Sequence, residues 1–146
     1  MDKKQLKIVS LVPSLTETIC DLGLTSRIIG ITNFCTYPKS LHRTAQIIGG
    51  TKNPDIELIR ELKPSHVMTN FEENKPEHIE QLSKFTTVVQ TRVETVEDTI
   101  SMYQKIGASL ECASAADFYV EKITQLIAEV NELKSKKKSL TVMYYI

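Results

Sequence analysis

Short, β-branched apolar runs recur along this chain, each followed by a polar loop and then by a helical pattern, and that alternation leaves few folds open. Lys7 to Val12 is the first run, Ile28 to Thr32 the second, His66 to Asn70 the third and Thr86 to Gln90 the fourth. Between them the apolar spacing becomes helical: Ile56, Ile59 and Leu62 mark one short helix, Ile79 and Leu82 another. Strand, loop and helix in repetition predict parallel strands with right-handed crossovers, an α/β fold with a Rossmann-like parallel sheet. The 146 residues suit one domain and are enough to bury a core without staples.

Local signals set the expected boundaries. Ser14-Leu15-Thr16-Glu17 fits the S-x-x-E capping box of a helix running to about Leu22 and stopping at Gly23. Asn53-Pro54 reads as an N-cap with proline at the first helical position, and Lys63-Pro64 ends that helix. Asn33 to Lys52 is a long polar connection, and Glu72 to Pro76 is a polar turn. Thr95 with Asp98 caps a helix carrying Ile100, Tyr103, Ile106 and Leu110. Ser114 with Asp117 caps a longer one carrying Tyr119, Ile123, Leu126, Ile127, Val130 and Leu133 on one stripe. From about Ala115 to Lys137 the long helix would measure roughly 35 Å, with Lys134, Lys136, Lys137 and Lys138 at its negative dipole end. Leu140 to Ile146 has the composition of a buried strand, at which the chain halts. An uncovered edge at Thr141 to Ile146 would invite self-association.

Several chemistries lack the partners they need. Lys plus Arg and Asp plus Glu number 18 each, so no global field recruits nucleic acid or an anionic membrane surface. Cys20, Cys35 and Cys112 are an odd number without a C-x-x-C pair and read as small buried hydrophobes. Cys35 with His42 suggests a thiol and a base, yet no third orienting group is indicated, and no catalytic residue is assigned. His42, His66 and His78 are scattered without zinc spacing, so no metal site is assigned either. Gly49-Gly50-Thr51-Lys52 departs from the Walker order G-x-x-x-x-G-K-S/T, and no G-x-G-x-x-G follows the first strand. The apolar run after the basic N-terminal residues is too short for a signal-peptide core, and no segment approaches the roughly 20 apolar residues that span a bilayer.

A different pattern survives. Pro13-Ser14, Asn33 to Tyr37, Gly49 to Asn53 and Asn70 to Asn74 all follow strands or belong to their connections. Loops at the carboxyl ends of parallel strands share one edge, where ligands bind. Aromatic faces, amides and hydroxyls gathered there suit a large, partly apolar ligand that also hydrogen-bonds. Ordinary turns, with Ser14 and Asn53 acting only as helix caps, are the competing reading.

The run from Ile8 to Glu17, then Gly30 to Pro38, then Gly49 to Pro54 and onward through Asp55 to Asn74 resembles the cobalamin-binding branch of the class III periplasmic binding proteins. The resemblance covers nearly the whole chain. It implies two Rossmann-like lobes joined by a long helix, with cobalamin or an iron chelate held between them. Residues 1–112 are then the N-terminal lobe, 113–138 the connecting helix, and 139–146 the first strand of an incomplete or truncated second lobe. By motif position, Phe34 resembles the aromatic that packs on the corrin ring system, with Pro13, Ser14, Asn33, Tyr37, Thr51 and Lys52 as cleft neighbours. Glu57 resembles the glutamate that docks on the permease, and a helix with Ile56 and Ile59 facing inward also leaves Glu57 outward.

The expected role is therefore the binding component of an ABC importer, taking cobalamin or a related corrinoid to permease subunits without catalysis, cofactor or nucleic acid. The resemblance places it outside the cytoplasm, in the periplasm or its equivalent. Without a signal peptide, a complete chain would be cytoplasmic. A half cleft is expected to bind cobalamin weakly or not at all. An iron-chelate (siderophore or haem) receptor of the same class stays open. So do a small cytoplasmic Rossmann-like enzyme or nucleotide-binding domain and a non-binding interaction module.

Overall fold

The computed structural model describes residues 6–136 and 141–144. Five strands, β1 (Ile8–Ser10), β2 (Ile28–Ile31), β3 (Gln46–Ile47), β4 (His66–Asn70) and β5 (Thr87–Thr91), form one sheet in the order β3-β2-β1-β4-β5, every pair parallel. The helices are α1 (Pro13–Asp21), α2 (Leu41–Thr44), α3 (Ile56–Leu62), α4 (Pro76–Ser83), α5 (Asp98–Ser109) and α6 (Ala113–Lys136). The expected α/β, Rossmann-like lobe with a long final helix is what forms.

β1 lies at the centre. Ile8 pairs with Ile28 on one side and His66 on the other, and Ile8, Val9 and Ser10 are all fully buried. Coverage on both faces explains why these strands read as continuous apolar runs without alternation. Gly30 serves this packing: a Cβ there would stand 3.0 Å from Val9 Cγ2 and 3.2 Å from both Ile48 Cγ2 and Leu62 Cδ1. Its missing side chain lets α3 and the residue after β3 close onto β2.

Several boundaries differ from the sequence reading. The box at Ser14–Glu17 does not form, because α1 starts at Pro13, two residues before the start such a box sets, with Val12 at the N-cap and no side-chain cap. Proline suits that first position, since it has no N–H to leave unpaired and its φ is already helical. α3 is capped by Asp55, whose carboxylate accepts from the Leu58 N–H at 3.0 Å. Asn53 is unavailable as a cap because its backbone N–H and C=O both bond to Gly50, at 3.2 Å each. α6 begins at Ala113, which puts Ser114 inside the helix. The Asn33–Lys52 connection contains α2 and β3, elements of four and two residues, too short to show a period.

One box does form. The Thr95 and Glu94 N–H groups donate to the Asp98 carboxylate, and the Asp98 N–H returns a bond to Thr95 Oγ1 at 3.3 Å. Those bonds, Thr95 first, hold the Asp98 carboxyl below its ordinary pKa.

α6 has 24 residues and is about 36 Å long at 1.5 Å per residue. Its first half is docked: Tyr119 stacks on Tyr103 with centroids 5.1 Å apart and donates its hydroxyl to the Asp21 carbonyl at 3.3 Å. Further along, Leu126, Val130 and Leu133 are at least half exposed, while Ile123 and Ile127 are partly covered. Lys134 lies on α6, whereas Lys137 and Lys138 lie outside the described residues. Of the strand expected over Leu140 to Ile146, Thr141–Tyr144 are described and are neither helix nor strand, and they are exposed. A strand exists through its ladder, and these residues pair with no described strand. Among the described residues, no helix is long and apolar enough to cross a membrane.

The α5–α6 contact turns on Gly107, where an added Cβ would lie 2.6 Å from Ala116 Cβ and 3.2 Å from Ala113 Cα. Neither neighbour has a flexible end that can swing aside. Gly107→Ala is expected to destabilise the chain by about 1–3 kcal/mol, the range for overpacking, read as a lower urea midpoint. An unchanged midpoint would show that the helices separate at no cost.

Candidate functional site

The chain order reverses at β1. From there the path runs outward through β2 and β3, then crosses back to β4 and β5, so the loops after β1 and β4 leave the sheet edge in opposite directions. A crevice at the carboxyl edge follows from that reversal. A cleft of about 620 Å³ opens there, lined by Val12, Pro13 and Ser14 after β1 and by Asn70, Glu72 and Glu73 after β4. Phe34, Thr51, Lys52 and Val93 complete the lining.

A buried polar cluster fixes the first wall. Thr16 Oγ1 lies 2.9 Å from Ser10 Oγ, 3.0 Å from the Val12 carbonyl and 3.1 Å from Cys35 Sγ, and Thr32 Oγ1 is 3.2 Å from the same sulfur. The start of α1 is thereby tied to the loop after β2, in which Phe34 precedes the fully buried Cys35. Anchoring Cys35 inward leaves its neighbour Phe34 60% exposed at the cleft. Cys35 is thus a packing residue. His42 Nε2 donates to the Cys35 carbonyl at 2.9 Å, so it orders the backbone and does not face the thiol.

Gly49 to Pro54 forms a tight reversal, with Gly49 bridged to Pro54 and Gly50 bonded both ways to Asn53. Gly49 has φ +92°, and a Cβ there would sit 2.7 Å from the Asn53 carbonyl oxygen, so glycine is required. Thr51 and Lys52 occupy the tip. This geometry is a hairpin-like turn, and at the start of the helix that follows it, α3, the Leu58 N–H is already taken by the Asp55 carboxylate.

The second wall is clamped to the first by Asn74, which is buried. Its Oδ1 accepts from the Asn70 N–H at 2.8 Å, and its Nδ2 donates to the Thr51 carbonyl at 3.0 Å. Lys52 Nζ donates to the Glu72 carbonyl at 3.2 Å and stands 3.9 Å from Glu73 Oε2. Asn70 Oδ1 accepts from the Glu72 N–H at 2.8 Å, shaping the same loop.

Of the residues singled out from sequence, Pro13, Ser14, Phe34, Thr51 and Lys52 come together in the cleft. Asn33 stands at its margin: a Cβ on Gly50 would lie 3.7 Å from Asn33 Oδ1 and 3.4 Å from Phe34 Cε2. Tyr37 does not line the cleft and is exposed in the loop that leads away. Glu57 is exposed in the first turn of α3, 3.7 Å from Arg60 Nη2. Val12, Asn70, Glu72, Glu73 and Val93 join the lining without having been singled out as site residues. The position of Asn70 to Glu73 directly after a strand was the signal for three of them, whereas Val93 follows an edge strand with no such polar signature.

A larger hollow of about 840 Å³ lies at the opposite edge, lined by residues such as Arg27, Pro64, His66 and Leu110 at the amino ends of the strands. Burial pushes the His66 pKa down there. Sheet topology places the ligand crevice at the carboxyl edge, so the smaller cleft is the candidate. Among the described residues no group of three or more His, Cys, Asp or Glu is arranged to hold a metal ion.

With this geometry established, residues 8–146 match the model of a family described as periplasmic binding protein. The chain belongs to that family. It is 29% identical over 143 residues to the uncharacterized ABC transporter substrate-binding lipoprotein YvrC of Bacillus subtilis (strain 168), covering 95% of this chain and 44% of the relative. The fold matches the vitamin B12 binding protein BtuF of Vibrio cholerae at TM-score 0.78 and 18% identity, over 88% of this chain and 51% of that one. It also matches the heme-binding protein RhuT of Roseiflexus sp. RS-1 at TM-score 0.76 and 20% identity, over 92% and 52%. This member of the family thus spans less than half of the curated relative's length and about half of these solved chains.

Asn74→Ala removes both clamps and leaves the Asn70 N–H and Thr51 carbonyl without that partner. A loss of about 2 kcal/mol is expected, measured by chemical denaturation, with faster amide exchange at Asn70 than in the unsubstituted chain. Exchange at Asn70 that stays as slow would show that the clamp does not hold the loop.

Proposed function

We propose that this chain supplies one wall of the ligand cleft in the substrate-binding component of an ABC importer, with cobalamin or a related corrinoid as ligand. The observation that carries the reading is the joining of Phe34, Pro13, Ser14 and Asn70 in one cleft at the switch point of the sheet. An exposed aromatic face supplies stacking area, and the adjoining hydroxyl and amide groups hydrogen-bond a periphery rich in amides.

Haem iron is held by His, Cys, Met or Tyr side chains. None of these lines the described wall, which favours a corrinoid over a haem. In this reading Asn33 contributes at the rim, and Thr51 and Lys52 shape the floor. No catalytic step is required, since the ligand is handed on unchanged.

Residues 113–138 would be the connecting helix and residues 139–146 the entry to a second lobe. Glu57, exposed at the cleft-side end of α3, would meet permease subunits. A substrate-binding lipoprotein among the relatives supports a location outside the cytoplasm.

Calorimetric titration with cyanocobalamin tests the reading. The expected result is weak, saturable one-to-one binding, reduced up to about tenfold by Phe34→Ala, the upper value of an aromatic contact converted to affinity. No saturable binding of cyanocobalamin, with saturable binding of a ferric chelate, would move the ligand to the iron-chelate class. Equal affinity in the Phe34→Ala chain would remove Phe34 from the site.

A further inference from the structure

We infer that Glu72 and Glu73 make this cleft selective by charge, so that it takes an electroneutral or cationic, amide-bearing ligand and disfavours one carrying carboxylates. The inference rests on the ligand reading above and adds the residues that set the ligand's charge class.

Three titratable side chains line the cleft: Lys52, Glu72 and Glu73. One cation against two carboxylates leaves the wall with a net negative charge. The cation is moreover engaged by the wall itself, since its ammonium donates to the Glu72 carbonyl and lies 3.9 Å from the Glu73 carboxylate. An anionic ligand would have to draw Lys52 out of that latch before gaining its charge.

The Glu72 carboxylate pairs with no cation among the described residues. Its backbone is fixed at both ends, the N–H on Asn70 Oδ1 and the carbonyl on Lys52 Nζ, so the loop presents the carboxylate independently of any bond the carboxylate makes. Other basic groups nearby are turned elsewhere. Arg92 lies over the Phe71 ring, 4.7 Å from its centroid, and pairs with Glu94, while Lys75 Nζ is 3.5 Å from Asn53 Oδ1.

An ionised carboxylate only accepts hydrogen bonds. It therefore complements ligand N–H groups and repels ligand carboxylates, which accept as well and carry like charge. Juxtaposed like charges act mainly against the wrong ligand, which is a specificity device more than a source of affinity.

A matched ligand series isolates charge from shape: cyanocobalamin, and the same compound with one side-chain amide hydrolysed to a carboxylic acid. Equilibrium dialysis of both with the full chain at low and high salt gives the affinity ratio. The monocarboxylate is expected to bind about three- to tenfold more weakly at low salt, with the gap narrowing as salt screens it. Glu72→Gln should close most of the gap between the two ligands, because it removes one of the two like charges while the loop stays held through the residue's backbone. Lys52→Met should widen it.

Equal or tighter binding of the monocarboxylate by the unsubstituted chain would overturn charge selection and leave the corrinoid reading standing. So would a ratio that Glu72→Gln does not move in a chain with unchanged circular dichroism. Absence of binding by both compounds would overturn the corrinoid reading and this inference with it.

Discussion

Parallel pairing of Ile8–Ser10 on both sides is the constraint on which the rest of the molecule hangs. A central strand buried on both faces and both edges can release its chain only at its carboxyl end, over the rim of the sheet. Because β2 and β4 lie on opposite sides of it, the chain leaving β1 and the chain leaving β4 diverge, and the space between them is the cleft. The site is thus a consequence of strand order before any particular side chain is considered.

Strand order opens a gap but does not hold its walls. That work falls to short polar residues whose bonds are buried: Thr16 and Thr32 on Cys35 at one wall, Asn74 on Thr51 and Asn70 at the other. Buried polar groups are costly to leave unpaired, so these networks tolerate few alternative geometries. Exposure of Phe34 follows from the same arithmetic of space, since Cys35 is committed inward and the adjacent residue must look outward.

The α/β alternation was legible because fully buried parallel strands leave continuous apolar runs, and four of the five are plain in the sequence. β3 was not, since two residues carry no period and its existence depends on Gly30 and Ile31 offering partners. Capping signals misled where a tertiary demand outranked them: Asn53 was spent on the Gly50 turn, and Ser14 lay one residue inside a helix that Pro13 had already started. At the candidate site, motif position singled out Phe34, Pro13, Ser14, Thr51 and Lys52, which line one cleft, whereas Tyr37 shows the limit of sequence proximity. Three residues beyond Phe34, the loop has already turned away from the cleft. Glu72 and Glu73 were visible only as part of a polar turn, because their meaning depends on Lys52 reaching across from another loop.

That crossing separates affinity from selectivity in the proposed site. A stacked aromatic such as Phe34 attracts any flat or curved apolar surface and discriminates poorly among them. Charges at the rim discriminate well while adding little to affinity, because solvent screens attraction and repulsion alike and each ligand group must shed water. Holding Lys52 within the wall keeps the cleft from becoming a general anion receptor, a role that a free ammonium beside an aromatic face would favour. The Lys52–Glu73 contact, 58% and 51% exposed, is therefore weak as a source of stability, and its consequence lies in what it keeps the lysine from binding.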